Sequence, residues 1–230
     1  MKKEGGGKQK PKYFMDMDPD LIQQELCYGS IMALTFIFGN QFGLMDMGRN
    51  ELIIAIIGMD AVWGIIDLIL FYRSDMTGLT RRANLSKDLH RDGDRDVGEL
   101  RGRVHDEFQG TFLDMVDEKT RKEVIDKIML SGPVEDPNAL VDKWRRNYRR
   151  SAIGSCIVAT FPALPPAICL LVISDFNTAL RASGVMLSLI LFNVGFMISP
   201  YRKPWVRILS GLAVVALTLT LTVFAALFGG

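Results

Sequence analysis

Five long apolar segments constrain this chain more than any other feature of its sequence. Each holds about 20 predominantly apolar residues, the length that a helix needs to cross the hydrocarbon core of a bilayer. The segments cover residues 25–44, 51–72, 151–173, 177–199 and 205–228. We therefore predict an all-α, polytopic membrane protein with five transmembrane helices.

A charged block of nearly eighty residues separates the second apolar segment from the third. Within it, apolar residues recur at helical intervals from Glu107 to Leu130, and the sequence DPNALVDKW then restarts with an Asp-Pro helix cap. We expect two or three amphipathic helices there. The predicted organisation is a basic disordered tail at 1–20, transmembrane helices 1–2 at 21–72, a helical cytoplasmic domain at 73–150 and transmembrane helices 3–5 at 151–230.

The placement of Lys and Arg predicts the orientation in the membrane. Five of these residues lie in positions 1–12 and seventeen in positions 73–150, and Arg202 and Lys203 lie between the last two segments. The other two connections hold only Arg49 between them. Because cytoplasmic loops carry an excess of Lys and Arg, we expect an integral multi-pass protein with a cytoplasmic N-terminus and an external C-terminus.

Two aspartates interrupt the second apolar segment. An Asp at the centre of a membrane helix costs about 2.5 to 3.5 kcal/mol, whereas each large apolar residue returns only about 0.3 to 0.6 kcal/mol. Anchoring in lipid therefore does not explain Asp60 and Asp67. Seven residues make about two helical turns, so both carboxylates project from nearly the same face. We expect that face to line a polar passage for an ion rather than to contact lipid.

Further residues of the spans are candidates for the same pathway. Met32 and Met59 offer thioether sulfur, although methionine in a membrane helix is commonly filler. In the first span, Gly29 and Gly39 share a helical stripe with Glu25 and Met32, and Asn40 follows; the glycines suit close helix packing. Glu25 either extends to the cytoplasmic interface or lines a cation path.

Prolines interrupt the third span in the sequence ATFPALPPAICLLVI. Pro162 and Pro165, with Pro166 beside them, remove backbone donors and predict a kink in the middle of the membrane. Broken helices at this depth are a recurrent feature of transporters, and a purely structural kink is the alternative.

The sequence HRDGDRDVGEL resembles a calcium-binding loop only in part. Asp92, Asp94 and Asp96 occupy the first, third and fifth places, but Val97 and Arg103 replace the required Gly and Glu. One interpretation is a solvated acidic loop. The other is a weak cytoplasmic site for a divalent cation, formed by His90, Asp92, Asp94, Asp96, Glu99, His105, Asp106 and Glu107.

Several classes of function are disfavoured. Cys27, Cys156 and Cys169 lie within apolar spans without Cys-x-x-Cys or Cys/His spacing, so neither a zinc site nor a disulfide framework is expected. The spans contain no histidine, and the chain has no Gly-rich phosphate loop and no nucleophile beside a base, which argues against an enzyme. The basic and aromatic residues at 144–150 border a span, which favours a lipid anchor over a nucleic-acid site.

The arrangement resembles the vacuolar iron transporter family. The likeness covers residue 25 to the end and depends on five spans, the charged block after the second, the FPALPP sequence in the third, the segment ALRASGVMLSLILFNVGF and a closing span after KPW that ends in GG. The family usually has an Asp in a GxxDG pattern of the first span, where this chain has Met32, and a cytoplasmic domain richer in Glu. The chain is similar to a divergent, prokaryotic-type member in which Asp60 and Asp67 take over the acidic role.

The resemblance implies a homodimer that exchanges Fe²⁺ or Mn²⁺ for protons, with a helical cytoplasmic domain that binds metal. Our leading hypothesis is accordingly a divalent-cation transporter in which Asp60 and Asp67 bind metal or protons alternately. The metal is then cargo, with no permanently bound cofactor, and the partners are a second copy of the chain, membrane lipids and divalent ions. The alternative is a non-transporting membrane sensor or scaffold that acts through its cytoplasmic domain.

Overall fold

The computed structural model describes residues 14–91, 96–132 and 136–228. Within these ranges the regular secondary structure is helical. The α-helices are α1 (Pro19–Gln41), α2 (Arg49–Leu89), α3 (Val97–Phe108), α4 (Glu118–Met129), α5 (Pro137–Thr160), α6 (Leu164–Val172), α7 (Phe176–Ile198) and α8 (Pro204–Phe228). Short 3-10 turns cover Phe14–Asp16, Phe112–Met115 and Phe161–Ala163.

The prediction of an all-α chain with five helices long and apolar enough to span a membrane is confirmed. Five helical stretches among the described residues are long and apolar enough to cross a bilayer: α1, α2, the stretch from Pro137 to Val172, α7 and most of α8. Helix and span boundaries nevertheless differ. Helices α2 and α5 continue far into the charged block, because no proline interrupts residues 73–89 or 138–150 and charged residues are good helix formers in water.

Asp-Pro sequences begin two of the helices, and the one at Asp136-Pro137 was predicted. The Asp18 carboxylate accepts a hydrogen bond of 3.0 Å from the backbone N–H of Asp20. The Asp136 carboxylate accepts one of 2.9 Å from the N–H of Ala139. Each proline occupies the first helical position, where a backbone N–H would have no partner within the helix, so its absence costs nothing. The Asp-Pro pair therefore fixes the start of the helix.

The chain divides into two compact units. The first, the membrane unit, comprises residues 1–71 and 149–230, and the second comprises residues 72–148. The membrane unit has an apolar core to which α1, α2, α7 and the stretch from Ala163 into α6 all contribute. Its buried members are Ala33, Leu34, Ile37, Leu52, Ile56, Ala163, Leu170, Ala179, Leu180, Leu187 and Leu191.

Close helix approach in the membrane unit depends on glycine. A Cβ atom on Gly195 of α7 would lie 2.8 Å from the backbone oxygen of Ser210, and one on Gly211 of α8 would lie 2.8 Å from that of Phe192. In lipid there is no hydrophobic force between helices, so dispersion contacts at such small residues stabilise their association.

The second unit has a small core of its own. Leu85, Leu100, Val104 and Ile125 are buried together at the junction of α2, α3 and α4. Two ion pairs reinforce the junction: Arg101 with Asp126 at 2.7 Å and Arg103 with Asp88 at 2.9 Å.

The apolar periodicity from Glu107 to Leu130 does not correspond to one continuous helix. Helix α3 ends at Phe108, and Gly110 adopts a left-handed conformation with φ of 75°. Phe112 and Met115 of the following 3-10 turn are exposed. The second helix of the region begins only at Glu118, where the Asp117 side chain accepts a hydrogen bond from the N–H of Thr120.

The predicted disordered tail, residues 1–20, is wrong for its last seven residues. Phe14–Asp16 form a 3-10 turn, Met17 is fully buried and α1 begins at Pro19. The basic and glycine-rich composition of residues 1–12 predicted the tail, but the residues that follow include the apolar Phe14, Met15 and Met17. Residues 1–13 lie outside the described residues, as does the basic cluster within them.

Candidate functional site

Three membrane helices bring two acidic side chains and a serine together. The Ser155 hydroxyl of α5 donates a hydrogen bond to Glu25 Oε1 of α1. The carboxyl groups of Glu25 and Asp67, the latter from α2, lie within hydrogen-bonding distance of each other. Glu25 is 1% exposed, Asp67 7% and Ser155 0%. We call Glu25 and Asp67 the acidic pair.

The contact within the acidic pair has a chemical consequence. Two carboxylates have only acceptor oxygens, so they form a hydrogen bond to each other only when one of them carries a proton. Glu25 Oε2 accepts no hydrogen bond from any other donor in the described part of the chain. The pair can therefore hold a proton between its oxygens, or lose it and hold a cation there.

Small residues allow the three helices to come close enough for these contacts. A Cβ atom on Gly64 would lie 2.8 Å from the backbone oxygen of Cys156, the residue after Ser155. A Cβ atom on Gly29, one turn after Glu25, would lie 2.3 Å from the backbone oxygen of Ala159 and 3.0 Å from Pro162. The glycine stripe of the first span thus packs closely against another helix at this point, and it places Glu25 beside Ser155.

Asp60 is a fully buried acid of α2. It is 0% exposed, and neither carboxylate oxygen has a hydrogen-bond partner among the described residues. It lies on the buried stripe of α2 with Leu52, Ile56, Gly64 and Asp67, as the seven-residue spacing between the aspartates predicts. An ionised carboxylate in such a place is costly unless a proton, a cation or a hydrogen-bond donor compensates for its charge.

The third span is broken near the level of Asp60. Helix α5 ends at Thr160, the turn Phe161–Ala163 follows, and α6 begins at Leu164, whose N–H donates to the Phe161 oxygen. The prolines thus coincide with a 3-10 interruption of the α-helix, within a helical stretch that runs from Pro137 to Val172. Gly64 of α2 contacts Cys156 of α5. Because consecutive spans run in opposite directions, Asp60, four residues before Gly64, lies about 6 Å from this contact in the direction of Thr160. Asp60 is therefore at the level of the interruption.

The remaining predicted pathway residues are placed differently. Pro162 is buried against Gly29 and Pro165 is half-buried in the first turn of α6. Met32 is half-buried on α1, whereas Met59 is 44% exposed, away from the buried stripe of Asp60. Asn40 accepts a 2.8 Å hydrogen bond from the N–H of Met47 and so stabilises the connection between α1 and α2. It lies about 22 Å along α1 from Glu25.

The burial of Glu25 favours one of its two interpretations. A side chain that extended to the headgroup region would be exposed at its tip, whereas Glu25 is buried and bonded to Ser155. Glu25 therefore belongs to the interior of the membrane unit with Asp67.

Several of the predicted cytoplasmic metal ligands have other partners. Glu107 pairs with Arg81 at 2.5 Å and with Arg82 at 3.1 Å, and the Asp96 side chain accepts a hydrogen bond from the N–H of Glu99. The His90 ring contacts the Ser86 and Ser131 backbone oxygens, and His105 lies 3.7 Å from Asp106. Asp92 and Asp94 lie outside the described residues. Within the described ranges no three His, Cys, Asp or Glu side chains are grouped so that they could hold a metal ion.

An N-terminal segment covers α5 next to the acidic pair. Met17 packs on Gly154, the residue before Ser155, so closely that a Cβ atom there would lie 2.6 Å from the Met17 sulfur. Asp16 forms an ion pair of 3.3 Å with Arg150. Met15 and Asp16 have φ of 49° and 63°, a left-handed conformation that is uncommon outside glycine. We call Phe14–Met17 the N-terminal strap.

Sequence reasoning missed two residues that organise the site. Ser155 carries no signal of its own, since small polar residues are common in membrane helices and its role depends on which helix faces it. Arg49 was noted only for its charge. Its guanidinium donates to the backbone oxygens of Leu170, Ile173 and Ser174, the last two at 2.6 Å, and so satisfies the C-terminal end of α6.

Comparison of the chain with protein-family models, with curated proteins and with solved structures finds no match. The elements of the site are one buried carboxyl, Asp60, with no hydrogen-bond partner among the described residues, the acidic pair Glu25 and Asp67, and a helix interrupted near the level of Asp60.

Proposed function

We propose that this protein is a membrane transporter for a divalent cation, Fe²⁺ or Mn²⁺, that exchanges the metal for protons. The observation that carries the proposal is Asp60, a fully buried carboxyl on a membrane-spanning helix with no hydrogen-bond partner among the described residues. Ionisable groups at such positions are costly, and the ones that proteins keep commonly mark ion or proton pathways.

The acidic pair supports proton coupling. Metal and proton compete for the same carboxylate oxygens, so a site that releases its proton becomes able to bind a cation. Glu25 and Asp67 supply four oxygens in one place, and Ser155 holds Glu25 in position. Asp60 and the acidic pair are separated by about two turns of α2, which gives a cation two successive binding sites along its path.

The break in the third span supports an ion path at the level of Asp60. A 3-10 turn flanked by prolines leaves backbone oxygens without their usual helical donors, and oxygen ligands suit Mn²⁺ and Fe²⁺. The likeness to the vacuolar iron transporter family points in the same direction and suggests a homodimer. In that arrangement the N-terminus and the second unit face the cytoplasm.

A non-transporting sensor or scaffold is the second candidate. The observation that favours it is the compact unit of residues 72–148, which has its own apolar core and could bind a partner. In this case the buried acids would serve only as structural groups within the membrane unit.

Flux measurements in proteoliposomes test the proposal. The purified chain is reconstituted with a metal-sensitive dye inside, and Mn²⁺ or Fe²⁺ uptake is followed across a range of proton gradients. We expect Asp60→Asn and Asp67→Asn each to lower the flux at least tenfold, because an amide binds neither a proton nor a divalent cation in the way a carboxylate does. Asp46→Asn, in the exposed connection before α2, is the matched control and should retain the wild-type flux.

Two results would decide against the proposal. Flux that survives in the Asp60→Asn, Asp67→Asn double variant would remove these acids from the mechanism. If the wild-type protein is helical and monodisperse yet moves no divalent ion at any proton gradient, the sensor or scaffold is favoured.

A further inference from the structure

The second unit contains a groove whose charged lining residues are all arginines. It runs along one face of α2 between residues 72 and 84 and is bordered on the other side by α3 through Arg103. Its volume is about 550 Å³. Arg73, Arg81 and Arg103 line it, and no Asp or Glu does so among the described residues. We call this feature the arginine groove.

The ion pairs around the arginine groove hold the guanidinium groups in place without filling it. Arg81 pairs with Glu107 and Arg103 with Asp88, and neither acid is a lining residue. A guanidinium has five N–H donors, so an arginine held by one carboxylate still has donors for a ligand. Arg73 forms no ion pair within the described ranges.

The uncharged lining residues narrow the set of groups that can donate hydrogen bonds to a ligand in the groove. The hydroxyls of Thr77 and Thr80 donate to the backbone oxygens of Arg73 and Met76 in their own helix, at 2.9 and 2.8 Å. Their protons are therefore already used, which leaves the three arginines, the Asn84 amide and the Tyr72 hydroxyl as the side-chain donors among the lining residues. Donors of this kind recognise phosphate, whose oxygens match the planar guanidinium fork.

We propose that the arginine groove binds a phosphate-bearing anion, with the phosphate between Arg73 and Arg81. The headgroup of an anionic phospholipid and a soluble phosphate compound share this chemistry. Tyr72 and Arg73 come directly after the apolar segment of α2, where aromatic and basic residues commonly meet lipid headgroups. Met76 and the Tyr72 ring add an apolar wall beside the phosphate position. The proposal does not depend on metal transport.

The test compares two double variants of the full-length protein. In Arg73→Gln with Arg81→Gln, two groove charges are lost while Arg82 still holds Glu107. In Lys119→Gln with Lys127→Gln, two charges are lost from exposed positions of α4 outside the groove. Each protein is incubated in detergent with equal amounts of phosphatidylglycerol and phosphatidylcholine, and the retained lipids are counted by native mass spectrometry. A parallel arm titrates inorganic phosphate and glycerol phosphate and follows thermal unfolding.

The wild-type protein and the α4 variant should retain phosphatidylglycerol in preference to phosphatidylcholine. We expect the groove variant to lose this preference by roughly fivefold for each arginine removed. If lipid shows no preference but soluble phosphate stabilises the wild type and not the groove variant, the anion is a soluble phosphate compound and the site stands. Equal behaviour of the groove and α4 variants in both arms would overturn the proposal. The single variant Arg73→Gln, which breaks no ion pair, repeats the test if the double variant loses helix content.

Discussion

Gly29 and Gly58 lie in neighbouring membrane helices, yet a methyl group would meet very different surroundings at the two positions. At Gly29 it would come 2.3 Å from the Ala159 backbone oxygen, which cannot move independently of α5. At Gly58 nothing lies within 4 Å. The difference separates a glycine that the packing requires from one that it does not.

We therefore expect Gly29→Ala to destabilise the membrane unit by about 1–3 kcal/mol, the usual cost of overpacking. Gly58→Ala should be neutral or stabilising by up to about 1 kcal/mol, because alanine favours the helix. Denaturant unfolding in mixed micelles, followed by circular dichroism, measures both. Equal stability of the two variants would show that α1 and α5 are not in close contact at Gly29.

At the residue scale, the sequence predicts the helix face on which a side chain lies better than it predicts which side chains it contacts. The spacing of Asp60 and Asp67 is sufficient to place both on one face of α2, because helical geometry is local. Which side chains they meet depends on how α1, α2 and α5 are aligned along one another. Glu25 is 42 residues from Asp67 and 130 from Ser155 in the chain, and no local pattern encodes those distances.

Among the elements, α6 depends on a residue far from it in sequence. This helix has only nine residues, and Arg49 donates to the oxygens at its C-terminal end while its guanidinium lies 5.7 Å from the centre of the Phe176 ring. Those oxygens have no partner within the helix, and a cation at this end also interacts favourably with the helix dipole. Arg49 thus joins the start of α2 to the second half of the broken span.

We expect Arg49→Gln to lower the free energy of unfolding by about 1.5–3 kcal/mol, the range for hydrogen bonds that involve a charged group. Arg49→Lys should recover part of the loss, since an ammonium group keeps the charge but not the fork. Arg202→Gln, at an exposed position between α7 and α8, is the control. If Arg49→Gln unfolds like this control, the cap contributes no measurable stability.

We expect acid to destabilise the N-terminal end of helix α4 through its N-cap residue, Asp117. Hydrogen bonds from the Thr120 hydroxyl and backbone N–H lower the pKa of the Asp117 carboxyl below its ordinary value of 3.8. A carboxyl whose pKa is lower in the folded state contributes stability above its unfolded pKa, and the contribution is lost as the pH falls through the folded value. We expect amide exchange at Thr120 and Arg121 to accelerate as the pH falls below about 4.

An Asp117→Asn variant keeps a capping oxygen that does not titrate, so its exchange rates, corrected for the intrinsic effect of pH, should change less over the same range. A pH response that is identical in the two proteins would mean that Asp117 does not control this helix end.

Hydropathy was sufficient to find the spans but not the helix ends. The apolar content of 51–72 identifies the part of α2 that is apolar enough to cross a bilayer, whereas the helix continues to Leu89 because no proline interrupts residues 73–89. The prolines of the third span predicted its interruption correctly. The loop at Gln109–Asp117 was missed because apolar spacing alone does not reveal Gly110 as a stop.

For the whole molecule, five crossings would place residues 14 and 228 on opposite faces of the membrane. The proposed orientation puts the connections at Leu44 and Ser174 outside and the one at Tyr201 inside. These residues are exposed and lie between spans. Single cysteines can report the orientation once Cys27, Cys156 and Cys169 are replaced by alanine.

On intact cells, a membrane-impermeant maleimide should label Leu44→Cys and Ser174→Cys but not Tyr201→Cys. Inverted vesicles should give the reverse pattern, because they expose the cytoplasmic face. Labelling of Tyr201→Cys on intact cells would reverse the proposed topology. Labelling of all three positions on the same side would contradict the number of crossings itself.

The N-terminal strap affects how the protein can be shortened for study. Since Met17 packs against Gly154 and Asp16 contacts Arg150, the folded membrane unit begins at or before Phe14 rather than at the first helix. A truncated chain that starts at Pro19 would lack part of its own interior and should express poorly. Expression trials and affinity tags should leave every residue from Phe14 onward intact.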